Sequence, residues 1–240
     1  MTRLTTLADA EAVSERAALQ IVRELQRARG ERGVAHLALS GGTTPGRTYE
    51  LLAREMSDWD GVCVWFADER CVGPDDEQSN FRLAQQTLLA PAGISPERTY
   101  RMEGELGPEQ GAERYAGALL EHISTRDGEL PVLDVIVLGI GPDGHIASLF
   151  PGACTLDAGE QAVCLAVHDS PKPPPERITL SLAVLRAARG CVLLATSAAK
   201  SDAVSAMLGE PSKHVPASLL RRSRLSVIVD DAAAPPAPRG

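Results

Sequence analysis

The chain has 240 residues, of which 44% are hydrophobic and only 3% aromatic, and its 24 basic against 32 acidic side chains leave a net charge of −8. That apolar content can bury the core of one large domain or two small ones, while the acidic balance and the scarcity of rings speak against nucleic acid as a partner, because phosphate backbones ask for a basic surface and single strands for stacking platforms. No run of about 18 apolar residues offers a membrane span, and the opening MTRLTTLADAEAVSER turns polar before a signal-peptide core could form, so a cytoplasmic location without membrane association is expected.

Along the chain, residues 8–29 place Val13, Ala17, Ile21 and Leu25 on one side of an amphipathic helix that Gly30 is expected to end. Strand-like and helical segments then alternate. VAHLALS (34–40) reads as a strand, PGRTYELLAREM (45–56) as a helix and VCVWFA (62–67) as a second strand; NFRLAQQTLLA (80–90) and EQGAERYAGALLEHI (109–123) read as helices. LDVIVLG (133–139) is the clearest strand. AVCLAV (162–167), a proline-rich loop SPKPPPE (170–176), ITLS with a short helix, CVLLATS (191–197), a helix at 199–208 and LSVIVD (225–230) complete the set. This alternation predicts an α/β fold with a mostly parallel sheet covered by helices on both faces. One domain over 1–231 is expected, followed by a disordered tail, 232–240, with too little apolar surface to dock.

The five cysteines (Cys63, Cys71, Cys154, Cys164 and Cys191) are scattered, with no C-x-x-C pair and no histidine at ligand spacing, so no metal site is expected. In an open parallel sheet, ligands bind beyond the carboxyl ends of the strands, and the informative residues cluster there. After the strand at 34–40 comes SGGTTPG, in which Gly41 and Gly42 permit a tight turn, Thr44 can cap a helix and Pro45 suits its first position. Exposed amides, hydroxyls and a helix dipole together suit a phosphate, although the G-K-[ST] ending of a Walker A loop is missing. Asp68, Glu69 and Arg70 follow the strand at 62–67, where a solvated surface ion pair would serve equally well. Lys200 lies in the first turn of a helix, where a cation opposes the dipole and is better explained by a bound anion, and Arg177 closes the proline-rich loop.

The fourth loop, GIGPDGHIASLFPG (139–152), fits the G-x-G-x-x-G fingerprint of a dinucleotide site. Three features argue against that use. Pro142 removes an amide that would face a pyrophosphate, Pro151-Gly152 stops the helix that should begin near Gly144, and no acidic residue stands at a strand end about 20 positions on. The loop offers instead Asp143 and His145, a histidine able to titrate near neutrality beside a carboxylate that can orient it. No G-x-S-x-G elbow and no Cys–His pair is present to suggest a covalent intermediate.

Taken in order, LALSGGTTP, WFADERCVGPDDEQSN, LDVIVLGIGPDGHIASLFPG, ERITLSLAVL and LLATSAAK resemble the 6-phosphogluconolactonases, which share a superfamily with the glucosamine-6-phosphate isomerases/deaminases. The resemblance runs nearly the whole chain. It implies a single modified Rossmann-like domain that hydrolyses 6-phospho-D-glucono-1,5-lactone without cofactor or metal. It also implies residue roles: Ser40, Gly41, Gly42, Thr43, Thr44, Arg177 and Lys200 hold the 6-phosphate, Asp68 and Arg70 line the sugar pocket, and Asp143 and His145 carry the chemistry, with Arg70 or amides of the GIGPDG turn left as alternatives for the oxyanion. The deaminases continue DGHIA with F-N-E-P-G, whereas S-L-F-P-G here puts Phe150 in the place of a glutamate. The partner expected is a small sugar-phosphate lactone, met by a monomer or weak homo-oligomer. An isomerase/deaminase of the glucosamine-6-phosphate type and a non-catalytic sugar-phosphate sensor are the competing readings.

Overall fold

A computed structural model describes residues 2–123 and 129–235. Six strands form one parallel sheet: β1 (Arg3–Leu7), β2 (Ala35–Leu39), β3 (Val62–Phe66), β5 (Val135–Gly139), β8 (Gly190–Ala195) and β9 (Leu225–Asp230), in the order β1-β9-β8-β5-β2-β3. Every pairing in it is parallel. β2 and β3 are buried at every residue, which is why their sequences are unbroken apolar runs rather than alternating ones. Three short strands, β4 (Asp68–Arg70), β6 (Cys164–Val167) and β7 (Arg177–Leu180), make a second, antiparallel sheet in the order β4-β7-β6.

The helices are α1 (Ala10–Arg32), α2 (Thr43–Glu55), α3 (Asn80–Ala84), α4 (Pro108–His122), α5 (Leu182–Ala187) and α6 (Ser201–Leu208). α1 buries Val13, Ala17, Ile21 and Leu25. It runs past Gly30 to a left-handed C-cap at Gly33, whose amide bonds the Arg29 carbonyl. An exposed glycine inside a helix costs only about 1 kcal/mol, which the packing of the apolar stripe overrides. α3 continues as a π-helical turn over Gln85–Leu89.

Two strands escaped the sequence pattern. β1 is a half-exposed edge strand with a polar RLTTL sequence, and β4 carries three charged residues where apolar ones are the usual strand signal. Residues 232–235, expected to belong to a disordered tail, are instead docked. Ala233 is fully buried, its amide bonded to Asp230 Oδ1 at 2.8 Å, and Ser201 Oγ donates to the Ala234 carbonyl at 2.9 Å. The backbone of 232–235 docks through polar bonds that its alanine-rich sequence does not advertise. Residues 236–240 lie outside the described residues.

The strand order positions the site. From β2 the chain moves outward to β3, then returns to place β5 on the other side of β2 and builds on through β8 and β9. The reversal between β2 and β5 leaves a crevice at their carboxyl ends. SGGTTPG follows β2 and GIGPDGH follows β5, so topology brings these two loops together.

Candidate active site

A cavity of about 510 Å³ occupies that crevice, a volume suited to a sugar phosphate. Its lining includes Ser40, Gly41, Gly42, Thr43, Thr44, Asp68, Arg70, His145, Arg177 and Lys200, all expected from the sequence. Asp143 stands behind His145 rather than in the lining. A larger, more open depression of about 660 Å³ lies at the opposite ends of the strands, beside the solvated Arg29–Asp58 pair, and holds no histidine or cysteine.

The GIGPDGH loop folds back on itself through Gly141 N–H to the His145 carbonyl (2.9 Å) and Gly144 N–H to the Gly141 carbonyl (3.0 Å). A Cβ at Gly141 would fall on the His145 ring and the Asp143 carboxylate, so only glycine allows the chain to double over them. Asp143 Oδ1 lies 2.5 Å from His145 Nδ1. Burial pushes the imidazole pKa below its ordinary value, against the hydrogen bond and charge of Asp143, which raise it. Burial also opposes ionisation of Asp143, but the His145 hydrogen bond and charge outweigh it and hold the carboxyl below the usual range. The result is a neutral imidazole whose Nδ1–H donates to a carboxylate and whose Nε2 lone pair is free to take a proton.

Phe150 is buried, its ring centroid 4.7 Å from that of His145 and 5.7 Å from the Arg177 guanidinium carbon. The position therefore packs against the imidazole and offers no group that exchanges protons.

On the β4 side, Asp68 is 5% exposed and accepts from Ser148 Oγ (2.7 Å) and Asn80 Nδ2 (3.2 Å). Ser148 belongs to the His145 loop, so Asp68 links that loop to β4. Glu69, for which a solvated surface ion pair was the alternative, is buried and accepts from the amides of Arg70, Asn80 and Phe81 and from Ser79 Oγ. It caps the start of α3 and shapes the loop. Arg70 donates Nη1 to the Gln78 carbonyl at 2.5 Å, while its buried Nε has no partner. Orphaned buried donors are rare, and this one belongs to a side chain that lines the cavity. Within the GIGPDG turn the Gly141 and Gly144 amides are already bonded.

On the phosphate side, α2 begins at Thr43 with Gly42 as N-cap at φ 117°, so Thr44 lies inside the helix and does not take the capping role read from the sequence. Thr44 Oγ1 instead meets Thr196 Oγ1 at 2.7 Å, tying the β2–α2 loop to the β8–α6 loop. Ser40 lines the cavity, but its amide and carbonyl bond Tyr49 Oη and its hydroxyl donates to the Val137 carbonyl. Its polar groups hold β2 to α2 and β5. Lys200 ends a single helical turn, Ala198–Lys200, and leads directly into α6. Burial, then the charge of Lys172, lower its pKa against Asp143. Before it, Ser197 takes φ 80°, ψ 151°, held by its amide donating to the Asp230 carboxylate at 3.0 Å.

Sequence reasoning passed over Lys172 and Asn80, both in the lining. The signal for Lys172 was available: a lone cation bracketed by prolines in SPKPPPE. With it, four cations (Arg70, Lys172, Arg177 and Lys200) face one lining carboxylate, Asp68, in a chain of net charge −8. Arg70 and Arg177 are register partners on β4 and β7. Like charges placed opposite one another on adjacent strands cost stability, and an anion between them would offset that cost. Among the described residues, no group of three or more His, Cys, Asp or Glu is disposed to hold a metal ion, and no helix is long and apolar enough to cross a membrane.

Comparison with known proteins agrees with this geometry. Residues 8–229 match the family model described as glucosamine-6-phosphate isomerases/6-phosphogluconolactonase. The 6-phosphogluconolactonase of Streptomyces coelicolor is 37% identical over 243 residues, covering 96% of this chain and 93% of that protein. The human 6-phosphogluconolactonase is 35% identical over 217 residues, covering 85% of this chain and 81% of its own. Among solved structures, a 6-phosphogluconolactonase from Shewanella baltica superposes with a TM-score of 0.84 at 30% identity, covering 96% of this chain and 98% of that one.

Proposed function

Because the chain belongs to the glucosamine-6-phosphate isomerase/6-phosphogluconolactonase family, we propose that it hydrolyses 6-phospho-D-glucono-1,5-lactone to 6-phosphogluconate, the second step of the oxidative pentose phosphate pathway. The observation that carries this reading is the neutral His145, oriented by Asp143 at 2.5 Å and backed by Phe150 on the wall of a cation-lined cavity. Lactone hydrolysis asks for a base, a water and an oxyanion donor; His145 is the base and Arg70 the donor in this reading, with the water drawn from solvent. Amine chemistry of the deaminase kind asks for a further proton-exchanging group, and a phenylalanine ring cannot serve.

In the proposed mechanism the 6-phosphate rests on the SGGTTP loop and the neighbouring cations, which fixes C1 of the lactone near His145 and makes attack effectively unimolecular. Nε2 of His145 takes a proton from water as the water oxygen bonds C1. The carbonyl electrons move onto oxygen, and Arg70 stabilises the resulting charge. When the C1–ring-oxygen bond breaks, the imidazolium returns its proton to the departing oxygen, and Asp143 stabilises the charged ring meanwhile. We further take the enzyme to act in the cytoplasm on this small substrate, without nucleic-acid or membrane partners, as a monomer or weak homo-oligomer, which light scattering on the purified protein checks.

The test is turnover of freshly generated 6-phosphogluconolactone, followed as acid release, with glucosamine 6-phosphate as the paired substrate. Accelerated acid release without ammonia is the predicted outcome. Ammonia from glucosamine 6-phosphate would assign the chain to the deaminase branch, and ligand-dependent melting without either turnover would make it a sensor.

A further inference from the structure

The loop Ser170–Glu176 holds four prolines, none of which carries an N–H. Its carbonyls therefore cannot be satisfied by the usual exchange of local amides, and the structure shows what replaces that exchange. Arg177 donates Nε to the Pro174 carbonyl (3.1 Å) and Nη2 to the carbonyls of Lys172 (3.0 Å) and Pro173 (3.2 Å). Ser170 closes the other end: its amide reaches the Pro175 carbonyl (3.0 Å) and its hydroxyl the Lys172 carbonyl (2.8 Å). Arg177 is 4% exposed and forms no ion pair among the described residues, so most of its hydrogen-bonding capacity goes to the loop.

The residue so held is Lys172. It lines the cavity with no carboxylate partner among the described residues, and its charge is felt by His145, Asp143 and Lys200 alike. A half-buried lysine facing another lysine, on a loop stiffened by prolines and clamped at its backbone, is a cation placed for an anion rather than for solvent.

We infer that Lys172 binds the substrate phosphate directly and that Arg177 is chiefly a positioning residue that presents it. This reassigns part of the role that family resemblance gives to Arg177, and it rests on the proposed sugar-phosphate reading of the site.

The experiment compares Lys172→Met, which keeps the aliphatic stem and removes the charge, with Arg177→Lys, which keeps a charge and removes the three-carbonyl clamp, and with the double variant. Each single variant should raise KM for the phosphorylated lactone about tenfold or more, with kcat within about threefold, and should weaken competitive inhibition by inorganic phosphate in parallel. The double variant should resemble the worse single one, because the two changes disable the same contact. Three results would overturn the inference: an unchanged phosphate inhibition constant in Lys172→Met, wild-type behaviour of Arg177→Lys, or KM effects that multiply in the double variant. A fall in kcat with unchanged KM in Lys172→Met would place the ammonium at the reacting carbonyl and overturn it as well. Thermal stabilisation by inorganic phosphate, lost in Lys172→Met and retained in wild type, reads the same contact without turnover. Absence of lactonase activity in the wild type would thus defeat the functional reading while leaving this one separately decided.

Discussion

Asp143 Oδ1 stands 2.5 Å from His145 Nδ1, and that contact settles which nitrogen of the ring faces the cavity. With Nδ1 bound to the carboxylate, Nε2 is the atom left for water. In the proposed mechanism the neutral ring is the working form, and burial holds its pKa below the ordinary histidine value. Activity should therefore rise with pH through an acid limb lying below about 6.5. Asp143→Asn removes the group that raises the imidazole pKa, so its acid limb should move to still lower pH, while kcat falls by ~10²-fold because the imidazolium loses its counter-charge and the ring its orientation. A pH profile of kcat for both proteins checks the direction; a limb that moves upward would contradict the assignment.

Gly141→Ala tests the geometry of the same pair. The new Cβ would occupy the space of the His145 ring and the Asp143 carboxylate, so the base must swing away. A loss of kcat by more than about tenfold is expected, with thermal unfolding showing a folded protein, since a displacement of about 1 Å in a catalytic group can cost ~10²-fold. Turnover within twofold of wild type would show that the loop does not set the position of His145.

Phe150→Glu places a carboxylate beside the His145 ring, where Phe150 now packs at 4.7 Å. An added negative charge there favours imidazolium, so the acid limb should move to higher pH. Loss of the buried ring should also lower the midpoint of unfolding, by an amount equivalent to about 2 kcal/mol or more. Ammonia release from glucosamine 6-phosphate is not expected from this single change, because one carboxylate does not rebuild a second site.

Ser197 holds φ 80°, ψ 151°, a region that is strained for any residue but glycine. Ser197→Gly should relieve about 1–3 kcal/mol of strain against an entropic cost of ~0.5–1 kcal/mol, so the protein should melt higher. The same change loosens the turn that carries Lys200, and KM should rise. A lower melting temperature with unchanged KM would mean that the conformation is neither strained nor functional.

Much of this was legible in the residues. Apolar runs such as LDVIVL and VCVWFA mark strands buried on both faces, and the placement of glycine and charge just after them marks the ligand edge, because open α/β sheets bind there. Asp143 and His145 could be singled out since a titratable pair on a glycine-rich turn has few structural uses. What the sequence concealed was hidden for physical reasons. Asp68 and Glu69 stand in a strand because their carboxylates are met by local amides and hydroxyls that no propensity scale weighs, while Arg70 reaches the Gln78 carbonyl. Thr44 looked like a cap because its type suits one, whereas Gly42 takes the role through its backbone. The contacts of Arg177 with the carbonyls of SPKPPPE are set by folding rather than by spacing, so the sequence alone does not reveal them.

The central claim is that His145 activates water on a phosphorylated lactone, and the most direct measurement is kcat of His145→Gln on freshly generated 6-phosphogluconolactone at neutral pH, alongside the thermal midpoint. A general base contributes ~10²–10⁴-fold. The account predicts a kcat lowered by that range with the midpoint close to wild type; a folded variant that turns over within a few-fold of wild type would contradict it.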